Sequence, residues 1–200
     1  MTRLAALVLV TLALAGCGGK SDEESASTTP AATNEMTQTT EGCQPLSGAA
    51  VTPQKSSANG SRETMYLTGV SVDTDVAGCE AVVRFEFEQQ APVPGYEASY
   101  QPATTAKIQD GSGNTIEIDG NAFLVVKLTP AMTAKIEGDE VTKTYTGPNR
   151  VASDVPTFVK EIVKTGDFEN TVTWVIGLDR ARPFKTSAGD AGLMIDIDGS

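Results

Sequence analysis

Two hundred residues carry 15 basic and 26 acidic side chains and no histidine, for a formal charge of −11. Without histidine there is no Ser-His-Asp or Cys-His nucleophile system and no imidazole to ligate zinc. From residue 65 to 200 the balance is 11 basic against 20 acidic, or −9, which disfavours nucleic acid, anionic lipid and teichoic polymers as direct partners.

The chain opens "MTRLAALVLVTLALAGCGGK". Arg3 supplies a positive start, and Leu4 to Ala15 form an apolar run broken only by Thr11. As helix that run is about 18 Å long, short of the roughly 30 Å hydrocarbon core of a bilayer, and it suits the apolar region of a signal peptide. The following "LAGC", ending at Cys17, resembles a bacterial lipobox, in which the cysteine thiol takes a diacylglyceryl group and becomes the new N-terminus. A plain secretory signal that happens to end in cysteine is the alternative. Two acyl chains anchor stably where one does so marginally, so the expectation is a protein on the outer face of the cell membrane, held through lipid alone.

Gly18 to Gly42 contain no aromatic residue and no Leu, Ile or Val. Such a segment cannot bury enough surface to offset ordering. It reads as a disordered tether with a root-mean-square span of roughly 30 Å. With Cys17 lipidated, Cys43 and Cys79 remain as an even pair in an oxidising setting. A bridge between them would tie "CQPLSGAAVTP" to the domain edge and contribute about 4 kcal/mol by chain entropy. Two buried free thiols are the other reading.

From Met65 onward the pattern is β. In "AVVRFEFEQQ", Val83, Phe85 and Phe87 share one face. In "AFLVVKLTPA", Leu124, Val126 and Leu128 alternate with Phe123, Val125 and Lys127. "TVTWVIGL" aligns Val172, Trp174, Ile176 and Leu178, and "GLMIDID" aligns Leu193, Ile195 and Ile197. Weaker strands are "MYLTGVSV", "GYEASY", "TIEIDG" and "TFVKEIVKTG", with "GSGN" connecting "TAKIQ" to "TIEI" as a hairpin. "TPAMTAKIEG" (129–138) is the segment expected to be helical or irregular. Eight or nine short strands without a long amphipathic helix predict an all-β, single β-sandwich domain.

On this pattern Trp174 points into the core with its apolar neighbours, although a lone tryptophan can also serve as a ligand platform. If the domain grips a glycan, Tyr96, Tyr100 and Tyr145, beside turns, are better placed. Glu86 with Glu88, and Asp196 with Asp198, could pair as glycosidase carboxylates, but i, i+2 spacing on a strand also describes an ordinary solvated face. Asp73 with Asp75, Asp110 with Asn114, and again Asp196 with Asp198 are oxygen donors without complete calcium-loop spacing. Asp179-Arg180-Ala181-Arg182 places a basic spot on an acidic domain, either a partner contact or a solvated loop. No metal, cofactor or catalytic constellation emerges, and the expectation is a protein that is not an enzyme.

Five pieces in order resemble the AMIN-like domain of actinobacterial lipoproteins: "AVVRFEFEQQAPVPGYEASY", "DGSGNTIEIDGNAFLVVKLTPA", "VKTGDFENTVTWVIGLD", "PFKTS" and "GLMIDI". Cys79-Glu80-Ala81 stands where relatives often carry an aromatic-Asp-Arg triplet, and "FENT" lacks a glycine usual after "FE", so no role at those positions is carried over. The resemblance implies a β-sandwich related to modules that bind peptidoglycan or localise partners in the envelope, and it favours a Gram-positive-type envelope. The expected organisation is a signal peptide over 1–16, lipidated Cys17 and linker over 17–42, a pre-domain segment over 43–64 and the AMIN-like sandwich over 65–200. The expected partner is peptidoglycan, with a polypeptide of the envelope as the alternative, and the sequence assigns no ligand-binding residues.

Overall fold

The computed structural model describes residues 42–57, 63–75, 77–88, 93–102, 107–109, 115–152, 158–190 and 192–200. Among them are fifteen strands and no helix: β1 (Gln54–Ser56), β2 (Met65–Thr74), β3 (Glu80–Phe87), β4 (Gly95–Gln101), β5 (Lys107–Gln109), β6 (Thr115–Glu117), β7 (Ala122–Thr129) and β8 (Ala131–Met132), followed by β9 (Ala134–Glu137), β10 (Glu140–Lys143), β11 (Arg150–Ala152), β12 (Val159–Phe168), β13 (Thr171–Leu178), β14 (Phe184–Gly189) and β15 (Gly192–Asp198). One sheet runs β1-β4-β7-β13-β12-β11 and a second runs β14-β15-β3-β2-β8. The expected all-β sandwich is what forms.

Strict alternation explains which side chains meet between the sheets. Ala81, Val83, Phe85 and Phe87 of β3 are buried, as are Leu193, Ile195 and Ile197 of β15 beside them. From the facing sheet come Leu124, Val126 and Leu128 of β7 and Val172, Trp174, Ile176 and Leu178 of β13. Each fully buried large side chain contributes about 1.5–3 kcal/mol of transfer free energy. The outer face of the β7–β13 pair is also covered: Phe123, Val125, Val163 and Val175 pack with Ile118, which follows β6, and Ile116, which lies within the antiparallel β5–β6 pairing. The proposed "GSGN" connection, with Asp110 and Asn114, lies outside the described residues.

Two segments differ from their sequence patterns. Residues 129–138 are neither helical nor irregular. Met65 N–H donates to Pro130 O and Ala131 N–H to Asn170 O, so β2 and the turn between β12 and β13 take up these backbone groups and hold the chain extended as β8 and then β9. The weak "TFVKEIVKTG" signal is a ten-residue strand, β12, paired on both sides. Register shifts between Val159 and Glu161 and between Lys164 and Gly166 break its alternation, which sends Ile162 inward and Val163 outward.

The segment ahead of the sandwich is part of the same compact unit, which spans Thr40–Ser200. Cys43 is bridged to Cys79, Leu46 N–H donates to Asp198 Oδ2 at 2.8 Å, and Ala50 pairs with Phe184. The chain then adds β1 to the edge of the other sheet beside β4. Gln54 there donates to Phe184 O and accepts from Thr186 N. Residues 43–56 therefore strap one sheet to the other.

Candidate functional site

The sandwich has two unlike ends. Strand β2 runs from Met65, beside Ala131, to Thr74, beside the turn that holds Cys79. At the Met65 end the β9–β10 hairpin projects, turning at Gly138 (φ 63°). Its pairs are Ala134 with Lys143 and Ile136 with Val141, and cross-strand partners share a face. The intervening Lys135 reaches the opposite way, to Glu88 Oε1 at 2.7 Å and over the Tyr66 ring.

Beneath the hairpin lies a cleft of about 470 Å³. Ala134, Val141 and Lys143 form one wall, and Lys164 with Thr133 forms the other. The floor is the loop after β10. There Tyr145 turns inward edge-on to Trp174, with ring centroids 5.5 Å apart, and its hydroxyl donates to Pro148 O at 2.7 Å. Gly147 allows this: a Cβ on it would stand 2.7 Å from the tyrosine oxygen. Thr133 O accepts from both Thr144 N and Tyr145 N, closing the hairpin base. Asn149 O accepts from Lys164 N at 2.8 Å, fixing the loop to β12.

The charges of the cleft are one-sided. Lys143 and Lys164 line it, and among the described residues no carboxylate does. The Lys164 ammonium sits 5.9 Å from the Tyr145 ring centroid and 3.8 Å from Asp167 Oδ2, the oxygen that also accepts from the Thr133 hydroxyl. Burial raises the Tyr145 phenol above its ordinary value, so it stays neutral. The same end exposes Ile136, Val141 and Phe168. A smaller hollow of about 240 Å³ beside Tyr96 is lined by both Glu97 and Lys127, which are cross-strand partners.

The residues singled out by sequence are distributed differently from the expectation. Trp174 is fully buried, as its strand face predicts, and contacts Phe85 as well as Tyr145. The three tyrosines do not form an exposed row. Tyr145 is 5% exposed. Tyr100 packs edge-on to Phe184 and uses its hydroxyl on Arg182, donating to its carbonyl and accepting from its N–H. Tyr96 bonds Thr186 across the sandwich. Their rings fill the seams between sheets, because a ring next to a turn still has an apolar body to bury.

Arg182 is likewise neither a partner contact nor solvated. It is buried, engages both Asp179 oxygens at 2.8 and 3.0 Å, donates to the carbonyls of Asp198 and Ser200, and lies 4.5 Å from the Phe158 ring. Asp198 does not share a solvated face with Asp196. It is buried, accepting from Leu46 and Ser200, while Asp196 pairs with Lys185. Glu86 and Glu88 stay exposed. Asp73 pairs with Arg84, and Asp75 caps the turn by accepting from Cys79 N and Glu80 N. Among the described residues no group of three or more metal-ligating side chains converges.

Sequence reasoning missed the cleft lysines. The signal lay in "KIEGDEVTK": a Gly-Asp turn between "KIE" and "EVTK" that reads as a hairpin.

The family model described as AMIN-like domain matches residues 65–199. No curated protein and no solved structure matches the chain.

Proposed function

The chain belongs to the AMIN-like family, and from that premise we propose that it is a non-enzymatic envelope protein, lipid-anchored through Cys17, whose sandwich binds a cell-wall component, peptidoglycan. The observation that carries this reading is the open cleft under the β9–β10 hairpin, at the opposite end of the sandwich from Cys43. Its hydroxyl, amide, ammonium and small apolar groups match the mixed chemistry of peptide-bearing glycan.

The test is retention of the full chain, in detergent, on purified insoluble sacculi. Binding that saturates supports the reading; a folded chain left wholly in the supernatant sinks it. The anchor has its own assay, in which an alkyne-tagged fatty acid labels the wild type and Cys17→Ser is unlabelled. Equal labelling of both would remove the lipobox assignment. A second reading, recognition of an envelope polypeptide, is favoured by the exposed Ile136, Val141 and Phe168 at the same end. It predicts specific co-purifying proteins and no retention on sacculi.

A further inference from the structure

We infer that the cleft is a carboxylate-binding site whose ligand is the peptide portion of the wall polymer, a short peptide with a free carboxylate beside small apolar side chains. This rests on the wall-binding reading and names the part of the polymer that is gripped.

Charge is the first argument. In a domain of balance −9, two ammonium groups line one cleft that, among the described residues, no carboxylate lines. Lys143 is exposed and forms no ion pair among the described residues. Lys164 has an acidic neighbour, but at 3.8 Å it is beyond the roughly 2.7–2.9 Å of a direct charge-assisted bond. Asp167 already accepts the Thr133 hydroxyl. Lys164 thus keeps donor capacity for an incoming anion, which its tyrosine-lined, partly desolvated position strengthens. The domain's overall acidity repels polyanions, so a ligand of few charges fits better than a polyphosphate.

Shape decides between peptide and sugar. Stacking of a pyranose needs an open aromatic face. The ring at the floor is 5% exposed, with its edge against Trp174 and its hydroxyl on Pro148, so it offers none. What the cleft does offer next to the lysines is Ala134 and Val141, with Ile136 beyond, surfaces for methyl-sized side chains. Thr146 and Asn149 add partners for peptide amides. About 470 Å³ lies within the range of small-ligand pockets, roughly 300–1,000 Å³.

The experiment titrates the full chain with three probes: stem peptides released from sacculi, the same peptides after amidation of their carboxylates, and glycan strands stripped of peptide. Calorimetry gives the affinities. The sole tryptophan, one ring below the cleft, gives an independent fluorescence readout. The expected result is binding of the acid peptides, at least about tenfold weaker binding of the amidated ones, and no binding of bare glycan. Lys143→Met and Lys164→Met should each weaken the acid peptide about tenfold and leave residual binding indifferent to amidation. Lys143, on the exposed hairpin, carries the test alone if Lys164→Met perturbs the fold. Equal affinity for acid and amidated peptides, preference for bare glycan, or no peptide binding overturns the inference. Sacculus retention measured in the same preparation separates the two failures. Retention without carboxylate preference removes the cleft assignment and keeps the wall reading, whereas no retention removes both.

Discussion

The two ends of the sandwich are built on opposite principles. At the Cys79 end nearly every polar group is spoken for: a disulfide, a buried guanidinium on Asp179 and the last carbonyls, a buried Asp198 that holds Leu46, and the 43–56 strap across both sheets. At the hairpin end, Ile136 and Val141 are 60% and 63% exposed and Phe168 is 71% exposed, while Lys143 and Lys164 line an open cleft. Covalent and ionic closure sits where the described chain begins, and accessible chemistry sits at the far end. Under the proposed reading, a module attached by its N-terminal side would bind through the open end, because local openness is tolerable where global stability does not depend on it.

The first way to break the contrast is to open the disulfide. Cys43 and Cys79 are 36 positions apart, so replacing both by serine should cost about 4 kcal/mol in the chain-entropy model, with the core contacts of β7 and β13 intact. Urea unfolding of oxidised wild type and the double variant reads this directly. Equal midpoints would mean that the strap is held by its hydrogen bonds alone. Arg182→Ala comes next, at about 3 kcal/mol, because it leaves Asp179 and the carbonyls of Asp198 and Ser200 without their donor. A loss below about 0.5 kcal/mol would show the cluster to be solvated.

That Arg182 forms this latch could not be read from "LDRARPF", where two arginines beside a proline describe any polar loop. The residues that were legible are those whose destination is fixed locally. Val83, Phe85, Phe87, Trp174, Ile195 and Ile197 lie on strands that alternate without a break, so parity alone places them. The cysteine pair was legible because the lipobox reading sets Cys17 aside and leaves an even pair, which the structure bridges. Destinations set by distant chain were not legible. The β12 bulges displace parity, Tyr96 and Tyr100 bury against β14 and Arg182, some 80 to 90 positions away, and the cleft joins a hairpin at 134–143 to a lysine at 164. Strand periodicity carries no information about which edge or loop will cover a ring.

Acid should act on the locked end, and more weakly. Its hydrogen bonds and charge attraction from Arg182 hold the Asp179 carboxyl below its ordinary value. At Asp198 burial pushes upward, but bonds from Leu46 and Ser200 outweigh it and the net direction is again down. A depressed folded value means stability that is complete above the unfolded value of about 3.9 and lost as pH falls through the folded one. Glu80 opposes this: burial, then Asp196, raises its carboxyl, so its contribution declines as pH rises. The two depressed carboxyls lose their contribution below about pH 4, with Glu80 opposing. Asp179→Asn should flatten that loss between pH 7 and 3 in urea midpoints, and an unchanged slope would reassign the acid sensitivity to other carboxylates.

The smallest effect belongs to the open end. Phe168 precedes Glu169 and Asn170, both at positive φ (49° and 57°) in the turn between β12 and β13, so the turn is set by backbone and the ring covers nothing. Phe168→Ser should change unfolding free energy by less than about 0.5 kcal/mol, as for surface sites away from special features. Val141→Ser should do the same, since its cross-strand partner Ile136 is equally exposed. Here a null result on stability is informative only beside a second measurement. If Val141→Ser weakens retention on sacculi while its unfolding curve overlays the wild type, the exposed apolar pair is kept for contact with a ligand and not for the fold. If it lowers stability by 1 kcal/mol or more, the hairpin is part of the rigid body, and the difference between the two ends is smaller than their burial indicates.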